Sequence, residues 1–245
     1  MARYQVKIAY DGSQFFGFQR QGKARTVQLE IENALRSIGW QGKSILAAGR
    51  TDTGVHASGQ VISFDHEWNH SEEVLLKALN ANLPEDVAVH AVEMADDFFH
   101  PRYDAISRCY HYRIYCQPHR DPLRDRYAWR VWPEVSFEQL QLAAQEFIGD
   151  HDVAAFGLPP KKDGSTTRTI FEANWTQEKD EFHFSVEANA FLYHMVRRIV
   201  FLQVKVASGK WSIEQIRAGI THQKEQMPGL AVPNGLILVK VQYRN

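Results

Sequence analysis

The chain has 245 residues, 44% hydrophobic and 23% charged, a composition ordinary for a soluble protein with apolar residues enough for one large core or two small ones. Apolar runs such as Gly235 to Val239 are far shorter than the roughly 20 residues that span a bilayer, so no membrane segment is expected. The net charge of −1 hides a segregation: residues 1–50, 105–130 and 191–245 are net basic, and residues 65–104 and 131–190 net acidic. Such a pattern lets a near-neutral protein present one basic cleft to phosphates, although scattered solvated surface gives the same count.

Arg3 to Tyr10 alternates polar and apolar residues as a strand does, and Val27, Ile31, Ala34, Leu35 and Ile38 follow at helical spacing. Ser44 to Gly49 and Gly59 to Asp65 read as two strands flanking a polar turn. Ser71 then opens a helix through Leu75, Leu76 and Leu79, with Glu72 and Glu73 favouring its first turn, and Val87 to Met94 forms a strand. The order β-α-β-β-α-β is the ferredoxin-like arrangement. A second pass comprises a strand at Ser107 to Tyr115, a helix from Ser136 to Phe147 capped by Ser136, and a hairpin of Ile170 to Thr176 with Glu181 to Ala188. Helices at Leu192 to Ala207 and Ile213 to Ile220 and a strand at Leu236 to Tyr243 complete it. The expected class is α+β, in two ferredoxin-like halves, 1–105 and 106–245, sharing a mainly antiparallel central sheet. The loops Gln117 to Arg126 and Leu158 to Thr167 are the most punctuated and are expected to be mobile binding loops.

Cys109 and Cys116 lie in one expected strand on opposite faces, a poor geometry for a bridge. With neither a signal-peptide core nor a cleavage site in the first thirty residues, a reducing cytoplasm is the expected compartment.

Three motifs bear on chemistry. Gly49-Arg50-Thr51-Asp52-Thr53-Gly54-Val55-His56-Ala57 concentrates Gly, Thr and one carboxylate in a tight turn between two strands. Asp and Thr often cap such turns with their own side chains. A guanidinium two residues away, at Arg50, also suits an ionised nucleophile. Asp52-Thr53-Gly54 is the tripeptide of aspartic proteases, but those sites need two carboxylates sharing one proton; there is no second copy here and Arg50 opposes protonation. His66-Glu67-Trp68-Asn69-His70 matches a zinc-protease pattern, yet it falls between an expected strand and the helix cap Ser71, where the two imidazoles cannot share a helix face. No other residues have ligand spacing, so no metal is expected. Phe15-Phe16-Gly17-Phe18 faintly suggests the stacking strand of RNA-recognition modules but stands in a loop after the first strand; core anchoring fits better, with Arg20, Lys23 and Arg25 beside it able to meet phosphates.

In order along the chain, Tyr10-Asp11-Gly12, Gly17 to Gln21, Thr26-Val27-Gln28, Gly49 to Ala57, Gly59-Gln60-Val61, Ala78-Leu79-Asn80, Leu83-Pro84, Phe99 to Ala105, Tyr110 to Arg113, Arg168-Thr169-Ile170 and Phe191 to Arg197 resemble the tRNA pseudouridine synthases of the A type. The resemblance implies a pseudouridine synthase fold and a cofactor-free enzyme that converts uridine to pseudouridine at positions 38, 39 and 40 of the tRNA anticodon stem-loop. It implies Asp52 as nucleophile, Tyr110 stacking on the target base, Arg197 pairing with the carboxylate, Arg50 assisting base flipping, and Arg20, Lys23, Arg25 and Arg168 meeting RNA. A homodimer with tRNA lying across both subunits is a further implication. The sequence departs from the family pattern at Leu29, Cys116 and Phe201; the last stands where glycine is usual and puts helix packing in doubt. A non-catalytic RNA-binding protein of the same two halves, and an aspartic protease that gains its second carboxylate by dimerisation, stay open at this point.

Overall fold

The computed structural model describes residues 1–161, 163–221 and 225–244. Among these, ten strands and five α-helices form a mixed, mainly antiparallel architecture. The chain divides into two compact units, Met1–Ile106 joined by the C-terminal segment from Leu238 on, and Ser107–Ile237.

The first unit runs β1 (Ala2–Tyr10), α1 (Val27–Ser37), β2 (Leu46–Ala47), β3 (His56–His66), α2 (Glu72–Asn82) and β4 (Val87–Met94), the expected β-α-β-β-α-β order. β1 lies antiparallel between β4 and β3, with Tyr4 opposite Phe64 and Met94. The alternation in β1 is the cause: Val6 and Ile8 point inward and are fully buried, each contributing about 1.5–3 kcal/mol. Thr26 caps α1 by accepting from the Leu29 N–H, and Ser71 caps α2 through the Val74 N–H. β2 is shorter than the sequence suggests, pairing with β3 only at Leu46 and Ala47. The rest of that edge of β3 meets the C-terminal strand; a Cβ on Gly59 would fall 2.1 Å from the Val239 carbonyl oxygen, so only glycine permits this approach.

The second unit contains β5 (Ala105–Cys116), β6 (Trp129–Val131), α3 (Phe137–Gln145), β7 (Gly149–Asp152), β8 (Thr167–Glu178), β9 (Glu181–Ala188), α4 (Met195–Ala207) and α5 (Ile213–Thr221), and the chain ends in β10 (Leu236–Tyr243). Its strands are ordered β5-β9-β8-β7, all antiparallel, with β6 parallel to the end of β5. α3 packs on α4 and β8 over a core of Tyr112, Phe147, Phe156, Trp175, Phe182 and Phe184. Trp175 enters this core with its indole N–H donating to Gln203, so its polar atom is satisfied while the ring is buried.

β6 and β7 were not expected, and α4 starts at Met195 rather than Leu192. Leu192 is diverted because the neighbouring Tyr193 bridges to Leu158 by two backbone bonds, and His194 then takes a left-handed φ of 65° before the helix begins. Phe201 is accommodated by a glycine elsewhere. Its ring stacks on Trp129 at 6.4 Å, and a Cβ on Gly229, at φ +86°, would lie 2.1 Å from it. Cys109 and Cys116 are not joined in a disulfide, and the segment after His66 is not helical: β3 ends at that residue and α2 starts at Glu72.

Candidate active-site loop and base-binding strand

The segment joining β2 to β3 is the turn that carries Arg50 and Asp52. It is held from outside itself. The Ala48 N–H donates to the Val61 carbonyl, and Gln60 Nε2 to the Gly49 carbonyl at 2.9 Å. Thr51 is fixed twice, through its carbonyl by the Phe18 N–H at 3.1 Å and through Oγ1 by the buried Tyr10 hydroxyl at 2.8 Å. Beyond Asp52, the Gly54 N–H donates to the Phe15 carbonyl, the Val55 N–H to the Asp52 carbonyl, and His56 Nδ1 accepts from the Gly12 N–H at 3.0 Å.

Two glycines allow the clamp. A Cβ on Gly12 would fall 2.0 Å from the Val55 carbonyl oxygen, and one on Gly17 would fall 2.9 Å from the Thr51 carbonyl oxygen with φ already at +84°. The Tyr10-Asp11-Gly12 and Gly17-Phe18 stretches therefore exist to grip the backbone on either side of Asp52, which is itself half-buried between exposed Arg50 and Thr53. Burial pushes the Tyr10 phenol up to about 12, so its hydroxyl keeps its proton at physiological pH.

The three basic residues after the clamp differ in their surroundings. Arg20 donates at 2.5 Å to Glu32, whose fully buried carboxylate also accepts from Gln28 and the Ile45 N–H. Arg25 makes a bidentate pair with Asp86 at 2.7 and 2.9 Å, reaches Glu30, and lies 4.2 Å over the Phe15 ring. Lys23 is exposed. Much of the charge at Arg20 and Arg25 is thus met by carboxylates of α1 and of the turn before β4 that tie the clamp segment to both, contacts 12 and 61 residues apart in sequence that no local pattern reveals.

In the second unit, Tyr110 lies on β5 opposite Val186, its ring edge-to-face with Phe191 at 5.1 Å. Arg197, on the first turn of α4, is braced by two bonds with one residue: its Nε donates to the Ala231 carbonyl at 2.8 Å, and the Ala231 N–H donates back to its carbonyl. Neighbouring Arg198 points into the core, donating to the Phe156 carbonyl, and burial lowers its pKa. Arg168 donates to the Ser165 and Thr167 carbonyls and is likewise lowered by burial. The sequence singled out Arg197 but not the brace at Ala231, which sits beyond a loop and has no periodic signal. Among the described residues, no three His, Cys, Asp or Glu side chains are grouped as metal ligands.

Residues 7–104 and 143–244 match the sequence profile of the tRNA pseudouridine synthase family. The tRNA pseudouridine synthase A of Streptococcus equi subsp. equi is 39% identical over 247 residues, covering 99% of each chain. That of Bacillus subtilis is 36% identical, covering 99% of this chain and 100% of the other. Among solved structures, a Cbf5-Nop10-Gar1 complex aligns over 82% of this chain and 45% of that one at 11% identity, with a TM-score of 0.37. The end-to-end identity to proteins of one activity, together with the family match across both units, makes this chain a member of the tRNA pseudouridine synthase family, an isomerase acting on tRNA.

Proposed function

We propose that this isomerase acts at positions 38, 39 and 40 of the anticodon stem-loop, with Asp52 as its nucleophile and the target uridine flipped out of the stack. The observation that carries the reading is the externally clamped loop: bonds from Tyr10, Phe15, Phe18, Gln60 and Gly12 fix the backbone around a half-buried carboxylate. A reacting group held this way loses little freedom on the path to the transition state.

The reaction breaks the bond between uracil N1 and the sugar C1′, turns the base, and forms a bond from C5 to C1′. The C5 proton leaves and N1 takes one up, so no atom is gained or lost and no redox cofactor or metal is required. Asp52 serves as nucleophile at uracil C6 or at the sugar. Extruding the base costs a few kcal/mol, which an aromatic face at Tyr110 and a cation at Arg50 offset. Arg197 is the partner of the carboxylate, while Arg20, Lys23, Arg25 and Arg168 meet RNA. The enzyme works as a cytoplasmic homodimer with tRNA lying across both subunits. Release of tritium from uracil C5 in tRNA transcripts tests the reading. Release confined to those carrying uridine at the three positions supports it, and retention of RNA without release overturns it.

A further inference from the structure

We propose that Tyr10 is a positioning residue for the isomerisation, setting through its hydroxyl bond to Thr51 the direction in which Asp52 presents its carboxylate. The inference rests on the reading of Asp52 as nucleophile.

Three features of the first unit point to it. The β1–β3 ladder slips where Tyr10 leaves it: Ile8 faces Gln60, but Tyr10 faces Ala57, so one extra residue of β3 is accommodated there. Such bulges re-aim a side chain at a strand end. Second, the hydroxyl is tied directly to the loop: it bonds Thr51 Oγ1 at 2.8 Å, while Gln60, on the strand that Tyr10 flanks, donates to the Gly49 carbonyl at the other end of the same turn.

Third, the peptide entering Asp52 is left little freedom. The Thr51 carbonyl is held by the Phe18 N–H, its side chain by Tyr10, and the Asp52 carbonyl by the Val55 N–H. With the peptides on both sides fixed, the Asp52 Cα–Cβ vector is fixed as well. The apolar body of Tyr10, tilted against Phe18 at 6.2 Å, already fills the core, and phenylalanine would fill it equally. The hydroxyl is therefore the part of Tyr10 that the loop needs. A displacement of about 1 Å at a reacting group lowers rates on the order of a hundredfold.

The test compares Tyr10→Phe, Thr51→Val and Thr51→Ser in single-turnover rate, tRNA dissociation constant and melting temperature, with Asp52→Asn alongside. The expected result is a rate about ten- to a hundredfold lower for Tyr10→Phe and Thr51→Val, tRNA affinity within about twofold, and most of the rate restored by Thr51→Ser, which keeps the hydroxyl. Loss should be no greater in the Tyr10→Phe, Thr51→Val double variant than in either single one. A Tyr10→Phe protein that melts lower yet turns over within about threefold of the parent, while Asp52→Asn is inactive, overturns the positioning role alone. Turnover by Asp52→Asn overturns both it and the nucleophile reading. Should Tyr10→Phe fail to fold, equal rates for Thr51→Val and Thr51→Ser overturn the proposal and unequal rates sustain it.

Discussion

The Gly12 N–H donates to His56 Nδ1 at 3.0 Å across 44 residues, and at the same point the Gly12 α-carbon lies so close to the Val55 carbonyl that a Cβ would fall 2.0 Å from its oxygen. Both contacts close the far side of the Asp52 loop. Gly12→Ala must push the loop away, and the expected cost is about 3 kcal/mol of stability with turnover lost in whatever fraction folds. Urea denaturation checks it; a cost under about 1 kcal/mol would mean that the loop yields easily and the clamp is loose.

Asp52→Asn keeps the size and turn hydrogen bonding of the side chain and removes its charge and nucleophilicity. Pseudouridine formation should become undetectable while tRNA affinity stays within about tenfold, or roughly 1.4 kcal/mol. Arg50→Ala should differ by weakening both turnover and binding with the fold intact. Rate assays, filter binding and circular dichroism on the two variants separate these outcomes; a folded, active Asp52→Asn protein would make Asp52 a turn residue.

The basic blocks at 1–50, 105–130 and 191–245 should release several counterions when they meet phosphates. Between 50 and 200 mM salt the tRNA affinity is expected to fall roughly a hundredfold or more, giving a straight line of log affinity against log salt. A flat line would show that the charge segregation is ordinary solvated surface.

Phe201 and Gly229 are coupled by the space that the glycine leaves. Gly229→Ala should cost about 2–4 kcal/mol, part from the clash with the ring and part from the left-handed backbone at φ +86°. In a Phe201→Ala background the clash is gone and about 1 kcal/mol of backbone strain should remain. A full cost in both backgrounds would show that the ring does not press on the glycine.

The imidazoles of buried His66 and of exposed His111 make stability depend on pH above the carboxylate range. Burial is the main cause that lowers the pKa of His66 below the ordinary value near 6.5, partial desolvation followed by the charge of His183 lowers that of His111, and His66 Nε2 has no hydrogen-bond partner among the described residues. The unfolded chain therefore binds protons at these sites more readily than the folded protein, and stability falls as pH drops below about 6.5. Melting curves at pH 7.5 and 5.5 should show the loss, and His66→Gln and His111→Gln should each reduce it. An unchanged difference in both variants would assign the effect to other groups.

The elements with a strong period were legible in the sequence. β1, α1, α2, β4 and the β8–β9 hairpin fall where alternation, helical spacing and the caps Thr26 and Ser71 place them, because those signals are local. The Asp52 turn was legible as a turn, and the family resemblance is what marked it as a candidate site. Tertiary structure decided what local signals do not carry. The polar segment Gly149–Asp152 is a strand only because β8 offers it a ladder, and Trp129–Val131 only because β5 does. α4 starts late because Tyr193 is pulled into a bridge with Leu158. Arg20 and Arg25, read from sequence as able to meet phosphates, are also met by Glu32 and Asp86, and the loop of Asp52 takes its shape from Tyr10, Gly12 and Phe18. Each of these depends on long-range hydrogen bonds whose partners are chosen by packing, and chain spacing contains no record of that choice.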